Sequence, residues 1–373
     1  MKVAVTGSSG LIGTALVASL RADGHEVIRL VRRPPRAAGE VRWDPRAADA
    51  GLLSPGPGGS SGTRGSSGTR GSSGMPGSPG MPGLSALDGL GACVHLAGAG
   101  VADHRWTARY KAEIRASRIL GTRVLAGALA KLGQPPATLV VASAIGWYGD
   151  TGGREVDESA PAGPAFLSRL VQDWEAAAGP AADTGIRVVH LRSGLVLTPR
   201  GGFLARLLPL ARYGLCPRFS SGRQVMSWIS LSDEIGAIRF LLDREDLSGA
   251  FNLTAPAPVT NAEFTAALNT AALSAAVSGA GAPAAGAPGA ATSGPVASGT
   301  VASGAAGRHD GSWRRALTPL LRVPAPVLRL AVGEAAVELL ASARVSSRRL
   351  QEAGYQFRYP ALPGALAAEL ASR

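Results

Sequence analysis

Residues 3–13 read VAVTGSSGLIG and join a short apolar run to a glycine-rich turn. The run Val3–Thr6 has the composition of a buried strand, and the amphipathic segment Leu11–Ala22 after the turn predicts a helix. A glycine turn between a strand and a helix suits a pyrophosphate, because the helix N-terminus presents unpaired N–H groups. The stretch therefore predicts a dinucleotide site. The alternative is a glycine turn with a structural role only.

Three glycines in this stretch have separate predicted roles. Gly7 permits the tight turn, Gly10 lets the backbone approach the pyrophosphate, and Gly13 lets the helix pack closely against the strand. The residues that we expect to contact the cofactor in this loop are Gly7, Ser9, Gly10, Leu11, Ile12 and Gly13.

The end of the second predicted strand bears on the choice of cofactor. An NAD site places an Asp or Glu there for the ribose hydroxyls. This chain has Arg32 and Arg33 instead, with no acidic residue beside them in the sequence. A guanidinium group suits a 2′-phosphate, because it forms bidentate, charge-assisted hydrogen bonds. We therefore expect NADP as the cofactor. The alternative is that both arginines face solvent.

Strand-like and helix-like segments alternate through the rest of the chain, which predicts a parallel sheet with helices on both faces. The expected fold class is α/β, a doubly wound parallel-sheet Rossmann fold with a smaller, mostly helical C-terminal lobe. We place the dinucleotide-binding domain at residues 1–254 and the substrate-side lobe at 255–373. The predicted strands are Val3–Thr6, Val27–Val31, Ala92–Leu96, Thr138–Ser143 and Ile186–Arg192, and the predicted helices are Leu11–Ala22, Thr107–Leu132, Phe166–Asp183, Gly202–Tyr213, Leu317–Leu340 and Arg348–Ala353.

Two stretches of low complexity interrupt this pattern, at residues 51–86 and 274–312. The first contains a six-residue repeat with glycine at every third position, the spacing of collagen. Only a few of its triplets contain proline, so we predict a flexible Gly-rich insert and no triple helix. The second is rich in Ala, Gly, Ser and Pro, which predicts a disordered linker.

Composition argues against several classes of partner. The formal net charge is +12, but arginines are scattered and aromatic residues make up only 5%, which disfavours a nucleic-acid platform. No apolar run reaches the ~18 residues of a membrane helix, and no signal-peptide core is visible. The two cysteines form no CxxC or disulfide framework. We expect a cytoplasmic protein with a small-molecule substrate, no membrane or nucleic-acid partner and no metal site. Its oligomeric state stays open.

Taken with these residues, the chain resembles the extended short-chain dehydrogenase/reductases, and more closely their atypical "epimerase family" branch of NADP-dependent proteins. The match covers nearly the whole chain outside the two inserts. The segments that carry it are Thr6–Gly13, His95–Gly98, Arg105–Trp106, Ser117–Arg118, Gly121–Thr122, Ser143–Asp150, Leu191–Gly194, Ser227–Ile229 and Gly354–Pro360.

The resemblance implies further site residues. His95, Leu96, Ala97 and Gly98 would line the adenosine half of the cofactor, and we include Arg118, which stands where many relatives have asparagine. Ser143 closes a strand at the edge where ligands collect, and Tyr148 would lie on the loop above it; both are candidate catalytic residues. A structural role is the alternative for each of these two.

The chain departs from related oxidoreductases in one respect. They use a Tyr-x-x-x-Lys pair, in which the lysine lowers the pKa of the phenol. No tyrosine here is followed by a lysine one helical turn later, and Leu167 and Val171 occupy the expected positions. We therefore expect no cation beside Tyr148. Two main hypotheses follow: an NADP-dependent oxidoreductase or epimerase-like enzyme acting on a small carbonyl or hydroxyl substrate, or a non-catalytic NADP(H)-binding regulatory protein. An interaction protein that uses the two inserts is a distant third.

Overall fold

The computed structural model describes residues 1–46, 53–55, 87–280 and 321–371. In chain order the strands are β1 (Lys2–Thr6), β2 (Glu26–Val31), β3 (Glu40–Trp43), β4 (Leu53–Pro55), β5 (Ala92–His95), β6 (Thr138–Ala144), β7 (Glu155–Val156), β8 (Arg187–Ser193), β9 (Leu195–Leu197), β10 (Arg218–Phe219), β11 (Val225–Met226), β12 (Trp228–Ser230), β13 (Gly249–Leu253), β14 (Val259–Thr260), β15 (Arg322–Val323) and β16 (Arg344–Val345). The helices are α1 (Leu11–Ala22), α2 (Ala108–Leu129), α3 (Phe166–Ala176), α4 (Gly179–Ala182), α5 (Gly202–Ala211), α6 (Leu231–Asp243), α7 (Asn261–Ala280), α8 (Ala325–Val332), α9 (Ala336–Leu340), α10 (Arg348–Glu352) and α11 (Leu362–Ala371).

The central sheet has the strand order β13-β8-β6-β5-β1-β2-β3-β4. Its neighbouring strands run parallel from β13 to β3, and β4 lies antiparallel to β3 at the edge. The chain proceeds outward in one direction from β1 to β3 and in the other from β5 to β13. The order therefore reverses between β1 and β5, and ligands bind at such a point beyond the carboxyl ends of the strands. The doubly wound prediction is confirmed.

Apolar clusters cover both faces of the sheet. On one face Val5 and Phe251 pack with Leu16 of α1 and Ile238 of α6. On the other, Leu139 packs with residues of α2 and with Trp174 of α3. Because both faces are buried, the strands are apolar runs without alternation, which is the pattern that predicts a parallel sheet.

A second core joins α5, α7 and α11 and forms the mostly helical C-terminal region. Phe264, Leu366 and Trp228 are buried in it, together with Leu204. This core draws residues from both sides of position 254, and the predicted domain boundary there stays a prediction. No helix in the described ranges is long and apolar enough to cross a membrane.

The structure differs from the predicted elements at several places. The predicted helix Phe166–Asp183 is two helices, α3 and α4, because Pro180 lies in the first turn of α4 and ends the run before it. Helix α7 continues to Ala280, inside the predicted linker 274–312, in an alanine-rich stretch that favours helix. Strand β4 lies inside the predicted insert 51–86. The rest of both stretches lies outside the described residues. Helix α11, also alanine-rich, was not predicted.

Candidate functional site

A cavity of about 600 Å³ opens beyond the carboxyl ends of β1, β2 and β5, at the point where the strand order reverses. Eight of the residues predicted to bind the cofactor line it: Gly7, Ser9, Gly10, Arg32, Arg33, Leu96, Ala97 and Gly98. A volume of this size is typical of small-molecule and cofactor sites. The structure thus brings together the glycine loop, the arginines after β2 and the end of β5.

Two of the loop glycines have no room for a side chain. Gly7 has φ of +64°, and a Cβ there would lie 2.7 Å from the carbonyl carbon of Leu96. A Cβ on Gly13 would collide with the carbonyl oxygen of Gly7. The loop therefore packs directly against the end of β5 and the start of α1, and the predicted roles of both glycines agree with this packing.

Helix α1 begins at the cavity wall, since its N-cap residue Gly10 lines the cavity. Its N-cap residue, Gly10, makes no side-chain hydrogen bond, and the first turn contains no acidic residue. The N–H groups and the partial positive charge of this end are left for an anion. The side chains of Leu11 and Ile12 point elsewhere: Leu11 packs against Gly201 and Ile12 against the core. Contacts from these residues and Gly13 stay a prediction.

His95 is predicted to line the cavity, but its side chain is fully buried. Its Nδ1 lies 2.7 Å from the Thr6 hydroxyl, which also accepts hydrogen bonds from the N–H groups of Leu96 and Ala97. The Thr6 hydrogen is therefore left for His95 Nδ1. Burial lowers the pKa of His95 to about 4, so the ring is neutral at pH 7. His95 holds the cavity wall in place from behind.

Arg118 also lies behind the wall. Its guanidinium group donates to the carbonyl of Ala99 at 2.9 Å and stacks on Trp174, with 5.0 Å from its carbon to the ring centroid. A Cβ on Gly98 would lie 3.3 Å from the same carbon. Burial lowers the pKa of Arg118 to about 10. Within the described ranges it has no carboxylate partner, and its bonds to backbone carbonyls support the segment that contains Gly98 from behind.

The arginines after β2 are arranged in a way that the sequence did not reveal. Arg33 donates two hydrogen bonds to Glu40, at 2.8 and 2.7 Å, and Arg29 lies 3.3 Å from the same carboxylate. An acidic residue, Glu40 of β3, therefore does lie at this corner of the cavity, where β2 ends and Arg29, Arg32 and Arg33 come together. The bonds from Arg33 and from the Arg36 N–H lower the pKa of Glu40 to about 2. Arg32 is exposed on the cavity rim and has no partner in the described part of the chain.

The two predicted catalytic residues belong to one buried polar network. The Ser143 hydroxyl donates to Glu175 Oε1 at 2.6 Å, and Arg192 donates to both oxygens of Glu175. Arg192 also donates to the Tyr148 hydroxyl at 3.1 Å, and Tyr148 in turn donates to Asn252 at 2.8 Å. Strand register aligns Ser143, Arg192 and Asn252 in a row across β6, β8 and β13.

This network corrects two expectations. A cation does lie beside Tyr148, since Arg192 donates to its hydroxyl; burial nevertheless raises the pKa of the phenol, while Arg192 acts in the opposite direction. The Tyr148 hydroxyl is bonded inside the protein, and neither Tyr148 nor Ser143 is among the described residues that line the cavity. Glu175 and Arg192 were missed because nothing in the local sequence links α3 to β8. Leu167 and Val171 pack beside Gly146.

Comparison with known families matches two regions of the chain. Residues 3–54 and 84–254 match the model of the NAD dependent epimerase/dehydratase family. The chain belongs to this family. Residues 323–369 match a domain of unknown function, DUF1731, which covers the C-terminal segment from β15 to α11. The predicted resemblance is confirmed.

Similar proteins span most or all of the chain. Epimerase family protein Mb2239 of Mycobacterium bovis is 45% identical over 265 residues, which cover 71% of this chain and 77% of that protein. Human epimerase family protein SDR39U1 is 31% identical and covers 98% of both chains. The crystal structure of human SDR39U1 (isoform 2) with NADPH superposes with a TM-score of 0.73 at 29% identity, covering 100% of both chains.

Proposed function

We propose that this protein is a cytoplasmic, NADP-dependent oxidoreductase or epimerase-like enzyme that acts on a small carbonyl or hydroxyl substrate. The observation that carries the proposal is the placement of Arg29, Arg32 and Arg33 in the wall of the cavity, beside the uncapped start of α1. A helix N-terminus suits the pyrophosphate and the guanidinium groups suit a 2′-phosphate. The human relative crystallised with NADPH supports the same cofactor.

The presence of Glu40 beside these arginines does not indicate an NAD site. An acid that selects NAD needs free oxygens for the ribose hydroxyls. Both oxygens of Glu40 already accept from Arg33, and Arg29 and the N–H of Arg36 occupy the remaining positions. The carboxylate is also 4% exposed. Glu40 therefore offers no free oxygen to a ribose, and three arginines, Arg29, Arg32 and Arg33, line this wall of the cavity together with Asp44, which supports NADP.

Bound NADP would supply the hydride chemistry, and the chain's own residues would handle the proton. The Ser143 hydrogen is directed at Glu175, so the lone pairs of Ser143 Oγ are left to accept a hydrogen bond from a substrate hydroxyl. A proton lost by that hydroxyl would pass to Ser143 Oγ, and the Ser143 proton to Glu175. For a carbonyl substrate the same route runs in reverse. Tyr148, bonded to Arg192 and Asn252, would position this pair without touching substrate.

A regulatory protein that binds NADP(H) without turnover is the second candidate. The observation that favours it is the state of the buried network, in which Ser143, Tyr148 and Arg192 all have protein partners. A protein of this kind would bind NADPH and change its conformation without oxidising it.

Incubating the pure protein with NADPH and a panel of small carbonyl compounds tests the proposal. We expect NADPH oxidation that depends on the added carbonyl, or altered metabolites when a crude small-molecule extract is supplied. NADPH binding without turnover across both assays would contradict the enzyme and support the regulator.

A further inference from the structure

We infer that Glu40 is a positioning residue for the adenosine end of the cofactor, because it holds the Arg33 and Arg29 side chains toward the 2′-phosphate. The inference rests on the proposed NADP binding and adds a residue that makes no contact with the cofactor itself. It follows from the contacts, the depth and the charge of Glu40.

The Glu40 carboxylate bridges three parts of the corner. It accepts two hydrogen bonds from Arg33, one from the backbone N–H of Arg36 at 2.9 Å, and lies 3.3 Å from Arg29 Nη1. A bidentate guanidinium–carboxylate pair fixes both the position and the plane of the guanidinium group. Glu40 therefore sets the direction in which Arg33 presents its remaining N–H donors.

The backbone of Glu40 lies below the edge of the sheet at which the cavity opens. Its register partner on β2 is Arg29, two residues before the last residue of that strand, Val31. At a rise of about 3.3 Å per residue, Glu40 starts about 7 Å below the edge where the ligand cavity opens. Arg29 and Arg33 line the cavity, whereas Glu40 lies behind them.

Arg29 extends the effect to the phosphate loop. Its Nε donates to the Ser8 hydroxyl at 3.2 Å, and Ser8 is the buried residue directly after Gly7. One carboxylate thus connects the arginine that follows β2 with the glycine loop that follows β1. This connection between the two loops lies at this corner of the cavity, and it forms without a bound ligand.

The charges at the corner also match a 2′-phosphate. Arg29, Arg32 and Arg33 carry three positive charges and Glu40 one negative charge, which leaves about +2, close to the opposite of a phosphate monoester near pH 7. Asp44 and Arg46, which follow β3 and also line the cavity, add one charge of each sign and leave this sum unchanged. Without Glu40 the three cations would repel one another. Arg33, 38% exposed, would then lose its anchor and sample solvent, and binding would have to order it again.

Calorimetric titration with 2′,5′-ADP and 5′-AMP tests the inference, because these probes differ in the 2′-phosphate alone. In Glu40→Gln we expect the Kd for 2′,5′-ADP to rise about tenfold and the Kd for 5′-AMP to change less than threefold. Glu26→Gln, at the exposed opposite end of β2, is the matched control and should leave both values unchanged. An unchanged or tighter Kd for 2′,5′-ADP in Glu40→Gln would overturn the inference.

A double-mutant cycle distinguishes a positioning role of Glu40 from a general loss of structure. If Glu40 acts mainly through Arg33, Glu40→Gln should add less than threefold when Arg33→Ala is already present; a full tenfold addition would count against it. Should Glu40→Gln fail to fold, Arg33→Lys keeps both charges but loses the bidentate bond, and should weaken 2′,5′-ADP similarly. Equal Kd values for the two probes in the unmutated protein would reject NADP binding itself. That outcome is distinct from a Glu40→Gln variant whose Kd values do not change, which would reject only the role of Glu40.

Discussion

Arg192 of β8 and Glu175 of α3 form a two-point ion pair, with both N–O distances at 2.9 Å. The side chains are 4% and 11% exposed, and the Arg192 guanidinium carbon lies 3.8 Å from the centroid of the Trp147 ring. Ser143 and Tyr148 are each bonded to one member of this pair. The geometry of both predicted catalytic residues therefore depends on it.

Removing one member of the pair should be strongly destabilising. Glu175→Gln leaves Arg192 buried without a counter-charge, and breaking a buried ion pair in this way costs about 3–5 kcal/mol. Urea unfolding measures the loss. Asp173→Asn is a matched control, since Asp173 pairs with Arg115 on the exposed side of the same helix and such pairs contribute about 1 kcal/mol or less. Similar losses of unfolding free energy in the two variants would show that the buried Glu175–Arg192 pair stabilises the fold no more than the exposed Asp173–Arg115 pair does.

Ser143→Ala and Tyr148→Phe should separate a catalytic from a positioning role. Loss of the Ser143 hydroxyl should lower turnover by about 10²–10⁴-fold, the range for a group that transfers a proton. Tyr148→Phe removes the hydrogen bonds with Arg192 and Asn252 and should lower turnover on the order of tenfold. NADPH affinity should stay within threefold in both. Full activity of Ser143→Ala would show that the proton route lies elsewhere.

The C-terminal segment is held to α6 by Asp233. Its buried carboxylate accepts from the N–H groups of Arg358 and Tyr359 at 2.7 and 3.0 Å, and its carbonyl accepts from the Tyr355 hydroxyl. Asp233→Ala would leave those N–H groups without their acceptor, at about 1–3 kcal/mol each when buried. We expect a lower unfolding midpoint and faster proteolysis within 354–360. Asp246→Ala, at an exposed carboxylate, is the control, and equal cleavage rates in the two variants would refute the role.

Glu234 predicts a loss of stability at higher pH. Burial raises its pKa to about 7, although the hydrogen bond from Ser193 acts in the opposite direction. Because the folded-state pKa lies above the unfolded value of about 4.5, the folded state holds the proton more tightly. Its contribution is complete below pH 4.5 and is lost as the pH rises through 7. Melting temperatures at pH 5 and pH 8 should differ less in Glu234→Gln than in the unmutated protein; identical differences would contradict this.

The sequence was sufficient for the elements whose signals are local. The glycine turn, α1 and the apolar strands of the sheet are encoded in short segments, so β1, α1 and the glycine loop could be predicted within a residue or two. The arginines at the end of β2 were visible for the same reason. Helix α11 was missed because its alanine-rich sequence shows little amphipathic pattern.

The missed parts of the site depend on contacts between distant segments. Glu40 meets Arg33 through the register of β3 on β2, and Arg192 meets Tyr148 because β8 lies beside β6. The family resemblance implied that His95 lines the cavity, but side chains alternate across a strand and its ring points into the core. No local sequence pattern indicates that these distant residues come into contact.

The most direct test of 2′-phosphate recognition compares NADPH with NADH on the unmutated protein, by titration of nicotinamide fluorescence. A charge-assisted contact contributes about 1.5–3 kcal/mol, so NADPH should bind at least tenfold more tightly than NADH. Arg32→Ala combined with Arg33→Ala should remove most of that preference, because both guanidinium groups line the cavity where β2 ends. Equal affinities for NADPH and NADH in the unmutated protein would contradict the proposal that this site recognises a 2′-phosphate.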